Sequence, residues 1–174
     1  VNGYFYDRND VLISYVAKTS FNDNSSELMK VLKVKSDDNI FTISDKISGD
    51  VKKIRTNKAS STDDLVSKVG NMPKFIRGIV AGIFKFLDRH NFLPTSMTKD
   101  IIYYSSVIVS NLGSIDCKEA IHHHLSDIGT NSVFITMGKI YEKEVFVDGK
   151  KKRSYFCNFG VTLDERIADG FYFI

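Results

Sequence analysis

The sequence predicts a mixed α/β domain, a two-layer sandwich in which helices lie on one face of a mixed or largely antiparallel sheet. Short alternating or apolar runs suit strands, and other segments repeat apolar residues every three or four positions. Asp148-Gly149, between two strand-like runs, is a hairpin signal that makes the sheet partly antiparallel. With 174 residues and 43% hydrophobic content, the chain is long enough for one core and short for two. We therefore expect a single domain over residues 1–174.

The first part of the chain predicts strands followed by a helix. Alternating aromatic and β-branched residues predict a hairpin over Val1 to Thr19 that turns at Asn9-Asp10, and Leu28 to Val34 predicts another strand. Between Ile40 and Ile54 apolar residues recur at helical spacing. Asp37-Asp38 is placed to cap this first helix.

Two further helices are predicted. One opens at Ser61 and reaches Val69, and the next runs from Phe75 to about His90, after Pro73. The polar side of this last helix is thin, and its apolar stripe consists of Ile76, Ile79, Val80, Ile83, Phe84 and Leu87. We expect it to be buried on much of its circumference, or to cover the sheet while a missing segment covers it.

The second half predicts the remaining strands. Tyr104 to Ser110 and Ser132 to Ile140 are apolar runs short enough for a sheet interior. Asp148-Gly149 then predicts a tight turn between Glu144–Val147 and Arg153–Leu163. The longer arm alternates from end to end, which favours one continuous strand.

Composition and motifs exclude several classes of function. Lys+Arg number 24 against 21 for Asp+Glu, and the cluster Lys150 to Arg153 suits a solvated hairpin tip, so no nucleic acid is expected. No apolar run approaches the roughly 18 residues that cross a bilayer, so we expect a cytoplasmic protein with no membrane partner. The dinucleotide, Walker, nucleophile-elbow and zinc-protease motifs do not occur. Cys117 and Cys157 lack zinc or disulfide spacing and are expected to be buried free thiols.

Two segments place reactive groups at strand ends. VSNLGS carries Ser110 and Asn111 before a turn, where a hydroxyl can donate to a developing oxyanion; ordinary turn chemistry is the alternative. LDERIADG crowds charged groups at the end of the last strand, namely Asp164, Glu165, Arg166 and Asp169. A carboxylate there can act as a general base or orient another group, and a salt-bridged corner is the alternative.

Histidines offer a weaker site. His122, His123 and His124 are consecutive, so their side chains point in different directions, and no carboxylate or cysteine recurs beside them at ligand spacing. We therefore expect no metal and place them in a loop. His90 is placed like the last residue of a helix, where a cation suits the dipole.

The reactive segments and the hairpin between them, in this order, resemble the catalytic domain of the 2-oxoacid dehydrogenase acyltransferases, the E2 core, a relative of chloramphenicol acetyltransferase. VSNLGS resembles the family's SNLG segment, SVFITMGKI its next strand, VFVDGKKKRSYFCNFGVTL its hairpin, and DERIADG its DHRxxDG signature. DNIFTISDKISGDVKKIR resembles a preceding helix. The likeness is strongest from Val107 onward and implies a chloramphenicol-acetyltransferase-like fold from which an N-terminal part of the domain is missing.

The resemblance implies a CoA-dependent acyltransferase that assembles as a homotrimer or a higher multiple, with each active site at a subunit boundary. Its substrates would be an acyl-CoA and a small thiol, amine or hydroxyl acceptor such as a lipoyl group. Ser110 matches the family's oxyanion serine, Asp169 its structural aspartate and Arg166 its signature arginine, with Asn111 as support.

Glu165 stands where the family has the histidine that deprotonates the thiol. An exposed carboxylic acid, with a pKa near 4.3, is a poor base for a thiol near 8.5 unless burial raises its pKa. Two functions therefore stay open. The chain is an acyltransferase with Glu165 as the candidate base, or a catalytically inactive relative that serves as a ligand-binding or trimeric scaffold module.

Overall fold

The computed structural model describes residues 10–18, 27–56, 69–167 and 169–172. Its main feature is a mixed five-stranded sheet, whose strands are β1 (Val11–Lys18), β2 (Glu27–Val34), β3 (Val107–Asn111), β4 (Val133–Met137) and β7 (Phe159–Leu163). Their order in the sheet is β2-β1-β3-β4-β7. The outer pairs β1–β2 and β4–β7 are antiparallel, and the central pairs β1–β3 and β3–β4 are parallel. The mixed α/β class predicted from the sequence is confirmed.

Helix α1 (Ile40–Thr56) covers β1 and β2 with the apolar stripe that its sequence predicts. Ile54, 3% exposed, packs with Tyr15 and Ala17 of β1, and Leu32, Ile47 and Val51 complete this core. The Tyr15 hydroxyl donates to the Asp50 carboxylate at 3.2 Å, and burial raises the pKa of Tyr15. The helix and the sheet thus form the two layers that the sequence predicts.

The cap of α1 differs from the expectation. Asn39, not Asp37 or Asp38, accepts hydrogen bonds from the amides of Phe41 and Thr42, both at 2.9 Å. The prediction was wrong because Asn39 directly precedes the first helical residue, the position from which a side chain reaches those amides. Asp38 instead accepts from the Lys35 amide and pairs with Lys46, and these bonds lower its pKa.

Helix α2 (Lys74–Arg89) begins after Pro73 and ends just before His90, close to the predicted range of Phe75 to about His90. Of the two expectations for this helix, burial on much of its circumference is wrong, because it contains no buried residue. The other expectation, cover by a missing segment, stays a prediction. Polar contacts help to attach it, since Asp88 accepts from the Tyr104 hydroxyl at 2.5 Å and from the Gly129 amide at 3.1 Å. A one-turn helix, α3 (Thr95–Thr98), follows. No helix among the described residues is both long and apolar enough to cross a bilayer.

The start of β3 and the end of β4 differ from the sequence prediction. β3 starts at Val107 because Ile102–Tyr104 forms a 3₁₀ turn, which the Ser105 amide and hydroxyl close by donating to the Ile102 carbonyl. β4 ends at Met137, before the predicted Ile140. The first half of the predicted N-terminal hairpin and most of the predicted helix from Ser61 to Val69 lie outside the described residues.

The Asp148-Gly149 hairpin is confirmed, with β5 (Tyr141–Val147) and β6 (Lys150–Phe156) as its arms. Both turn residues have positive φ, 51° and 73°, as a type I′ turn requires. The predicted continuous arm from Arg153 to Leu163 is wrong. The chain changes sheets at Cys157-Asn158, where the Gly138 amide donates to the Asn158 carbonyl at 2.8 Å, so β6 and β7 belong to different sheets.

Candidate functional site

Ser110 lies near the end of β3 on a face shared with its neighbours. It pairs with Thr136 of β4, which in turn pairs with Gly160 of β7, and residues paired in this way point to the same face. The Thr136 hydroxyl is occupied, because it donates to the Gly160 carbonyl at 3.3 Å. The Ser110 hydroxyl has no hydrogen-bond partner among the described residues and is therefore free to donate to a ligand.

Asn111 shapes the turn that follows Ser110. Its side-chain oxygen accepts from the Gly113 amide at 3.0 Å, and the Ser114 hydroxyl donates to its carbonyl at 2.8 Å. A Cβ on Gly113 would lie 3.0 Å from the Gly138 carbonyl oxygen, so the turn sits tightly against the end of β4. Turn chemistry thus accounts for Asn111 but leaves the neighbouring serine unused.

The segment 118–123 lies against the same face of the sheet. A Cβ on Gly138 would lie 2.6 Å from the Lys118 carbonyl oxygen, and one on Gly160 would lie 3.1 Å from that of Ala120. The His123 ring stacks on Phe134, with 4.3 Å between ring centroids and 7° between planes. This segment therefore forms one wall beside Ser110.

The predicted loop position of His122, His123 and His124 is confirmed, and all three are exposed. Among the described residues, no three side chains of the metal-binding types are grouped to hold an ion.

Cys117 and Cys157 are free but half-buried, whereas full burial was expected. The Cys157 thiol donates to the Gly138 carbonyl at 3.2 Å. Its hydrogen bond is made where the chain changes sheets, and this position leaves part of the side chain in solvent.

The second candidate segment forms a salt-bridged corner. Arg166 donates from Nε to both Asp164 carboxylate oxygens at 2.9 Å, and its amide donates to the same carboxylate at 3.0 Å. These bonds hold the pKa of Asp164 below its usual range and raise that of Arg166. The charge of Asp127 also helps to raise the pKa of Arg166. No motif pointed to Asp127, because it lies far from Arg166 along the chain. Glu165 and Asp169 are exposed, and Asp169 accepts from the Tyr172 amide at 3.1 Å.

This ion pair predicts a pH-dependent contribution to stability. We expect Arg166→Gln to lower the free energy of unfolding at pH 7 by about 1 kcal/mol, since the pair is partly exposed. Because Asp164 has a lowered pKa, its contribution is complete above the pKa of the unfolded chain, about 3.9, and is lost as the pH falls through the folded value. Urea denaturation at pH 7 and near pH 3 should show the difference between variant and wild type shrinking. A difference that stays constant would contradict the assignment, and Arg153→Gln, which removes an exposed hairpin pair, is the control.

Ser110 and the charged corner lie at opposite ends of the sheet. Ser110 is level with Gly160 on β7, whereas Leu163, just before the corner, pairs with Val133 at the start of β4. Three residues separate these levels, about 10 Å along the strand, and two strand spacings add about 10 Å across the sheet. The structure therefore does not bring Ser110 and Glu165 together within one chain.

Comparisons with known proteins show which solved structures share this fold. No protein-family model matches the chain, and no curated protein is significantly similar to it. A solved structure of a probable dihydrolipoamide acetyltransferase from Listeria monocytogenes is similar over 95% of this chain and 52% of its own, with a TM-score of 0.55 and 16% identity. The chain has the acetyltransferase fold. The resemblance predicted from the sequence is confirmed at this level.

Two further structures share the acetyltransferase fold, each over 94% of this chain and 49% of their own, at 12% identity. One is the dihydrolipoamide acetyltransferase of Azotobacter vinelandii, with a TM-score of 0.53. The other is the cubic core of a pyruvate dehydrogenase multienzyme complex, with a TM-score of 0.52. The chain thus spans about half the length of the structures it matches.

Proposed function

We propose that this chain is part of an acyltransferase of the E2 catalytic-domain type, which transfers an acyl group between a CoA thioester and a thiol, amine or hydroxyl acceptor. The acetyltransferase fold, shared over 94–95% of the chain with solved dihydrolipoamide acetyltransferases, carries this proposal. A free serine hydroxyl at the end of a central strand supports it, because acyl transfer needs a donor for a developing oxyanion.

Residue spacing supports the assignment of roles. The Azotobacter structure comes from an investigation of a serine, a histidine and an asparagine in the catalytic mechanism, where the serine precedes the histidine by 52 positions and the asparagine follows it by four. Here Ser110 precedes Glu165 by 55 positions, and Asp169 follows Glu165 by four. Ser110 is accordingly the oxyanion donor and Glu165 the candidate base, while Asp169, Arg166 and Asn111 support the site.

The proposed site forms between two chains of a homotrimer or a higher multiple. Ser110 of one chain faces Glu165 of its neighbour. The two residues can therefore act in the same site although they lie at opposite ends of the sheet within one chain. One matching structure is the core of a multienzyme complex, and this supports a multimer. Contact with a neighbour would also bury Glu165, and burial makes a carboxylate a stronger base.

The chemistry proceeds as proton transfer followed by transfer of the acyl group from the CoA sulfur to the acceptor atom. Glu165 accepts the proton of the acceptor thiol, amine or hydroxyl, and the resulting nucleophile attacks the thioester carbonyl. The Ser110 hydroxyl donates to the tetrahedral oxyanion. When the intermediate collapses, the C–S bond to CoA breaks, and Glu165 returns the proton to the departing thiolate.

A catalytically inactive relative is the second candidate. Two observations favour it: glutamate replaces the expected histidine, and Glu165 is exposed in the single chain. Such a protein would keep the fold as a ligand-binding or scaffold module.

The deciding experiment incubates the full-length protein with a panel of acyl-CoAs, with and without dihydrolipoamide and small amine or hydroxyl acceptors. Release of the CoA thiol is followed for wild type and Glu165→Gln. We expect turnover that falls about a hundredfold or more in the variant, the scale of losing a general base. If wild type binds an acyl-CoA without turnover and Glu165→His gains activity, the inactive relative is the correct assignment.

A further inference from the structure

Helix α2 presents an apolar strip to solvent. Phe75, Ile79, Ile83 and Phe86 are 70%, 59%, 54% and 57% exposed. Their spacing of four, four and three residues places them on one side of the helix. The half-buried residues Val80, Phe84 and Leu87 lie on a neighbouring side, so the helix rests on the domain along another line.

The acidic and basic side chains of α2 have different surroundings. Its one acidic residue, Asp88, is held by the Tyr104 hydroxyl and the Gly129 amide. The four basic residues are all exposed: Lys74, Arg77, Lys85 and Arg89. The outward surface of the helix is therefore apolar on one side and purely basic on the next.

We propose that α2 binds the surface of an anionic lipid bilayer. A helix with a strong apolar face and a lysine- and arginine-rich polar face lies in the membrane interface, with its apolar side chains inserted at the headgroup boundary. The Lys and Arg side chains would meet the anionic headgroups. At 16 residues the helix is shorter than the roughly 20 needed to span the membrane. This proposal departs from the expectation of no membrane partner, and it does not depend on whether the domain is an acyltransferase.

Charge and shape favour a lipid surface over other occupants. A second copy docked through the same strip would bring two basic surfaces together, which is unfavourable. A Cβ added at Gly78 or Gly82 would meet no atom within 4 Å, so this side of the helix is open among the described residues. An open amphipathic helix with basic residues beside its apolar strip suits an anionic lipid surface. A protein whose groove accepts such a helix is the other occupant, and the test distinguishes it.

The test is co-sedimentation of the full-length protein with phosphatidylcholine vesicles, with or without about one third phosphatidylglycerol. We expect at least about tenfold tighter binding to the anionic vesicles, weakening as salt is raised. Ile79→Glu should abolish it, and Lys85→Gln should weaken it about fivefold. Ile121→Glu is the matched control, because Ile121 is 61% exposed elsewhere on the surface and should leave binding unchanged.

Circular dichroism checks that each variant is folded. If Ile79→Glu is not folded, the comparison of vesicle binding between wild type and Lys85→Gln tests the proposal. The proposal is overturned if wild type does not sediment with anionic vesicles, or if Ile121→Glu weakens binding as much as Ile79→Glu. It is also overturned if the protein does not bind vesicles and Ile79→Glu instead dissociates an oligomer. The same holds if Ile79→Glu releases a protein partner from the apolar strip of a protein that does not bind vesicles.

Discussion

Gly129→Ala is expected to lower the free energy of unfolding by about 4 kcal/mol or more. Gly129 has a φ of 89°, and an added Cβ would lie 2.1 Å from the Tyr103 carbonyl oxygen. That oxygen cannot readily move, because the amides of Thr130 and Asn131 donate to it at 2.9 and 3.0 Å. Alanine would thus meet both a strained backbone and fixed main-chain atoms, and the Gly129 hydrogen bond that anchors α2 through Asp88 would be disturbed.

Gly49→Ala is the matched control for this prediction. Gly49 lies within α1, and a Cβ there would meet no atom within 4 Å. Alanine is favoured over glycine inside helices, so stability should be unchanged or rise by up to about 1 kcal/mol. Urea denaturation followed by circular dichroism measures both variants. A Gly129→Ala protein as stable as wild type would contradict the described contact with Tyr103.

Ser110→Ala is expected to reduce kcat/KM for acyl transfer by about 10²–10³-fold, the usual cost of losing an oxyanion donor. Stability should change little, because the hydroxyl has no partner among the described residues whose bond would be lost. The measurement is steady-state CoA release with the best substrate pair, alongside thermal unfolding.

Ser114→Ala is the control for Ser110→Ala, since Ser114 is exposed on the same turn and donates within it. It should keep the rate within a few-fold of wild type and lose at most about 1 kcal/mol of stability. Equal losses of rate in both variants would show that the turn matters rather than the Ser110 hydroxyl.

Local patterns predicted the elements whose stability is largely local. The spacing from Ile40 to Ile54 predicted α1, and Asp148-Gly149 predicted the hairpin, because helical periodicity and positive φ are properties of a few adjacent residues. The salt bridge between Asp164 and Arg166 was one of the two predictions for its segment, because the two residues are only two positions apart.

Local sequence patterns did not predict the features that depend on residues far apart along the chain. The break between β6 and β7 is set by hydrogen bonds to Gly138, and alternation of side chains continues through it unchanged. Burial of α2 was one of two predictions and is wrong, because periodicity shows that a helix has an apolar side but not what covers that side. The distance between Ser110 and Glu165 follows from strand register, which neither motif encodes.

The most direct test of an active site shared between chains is to mix two inactive variants. Ser110→Ala and Glu165→Gln subunits are co-assembled in equal amounts, and acyl transfer is compared with that of each variant alone. If each site takes Ser110 from one chain and Glu165 from the next, about one site in four is intact after random assembly, and about a quarter of wild-type activity should return. If activity stays at the level of the separate variants although mixed assemblies form, the two groups do not meet between chains, and the proposed site is wrong.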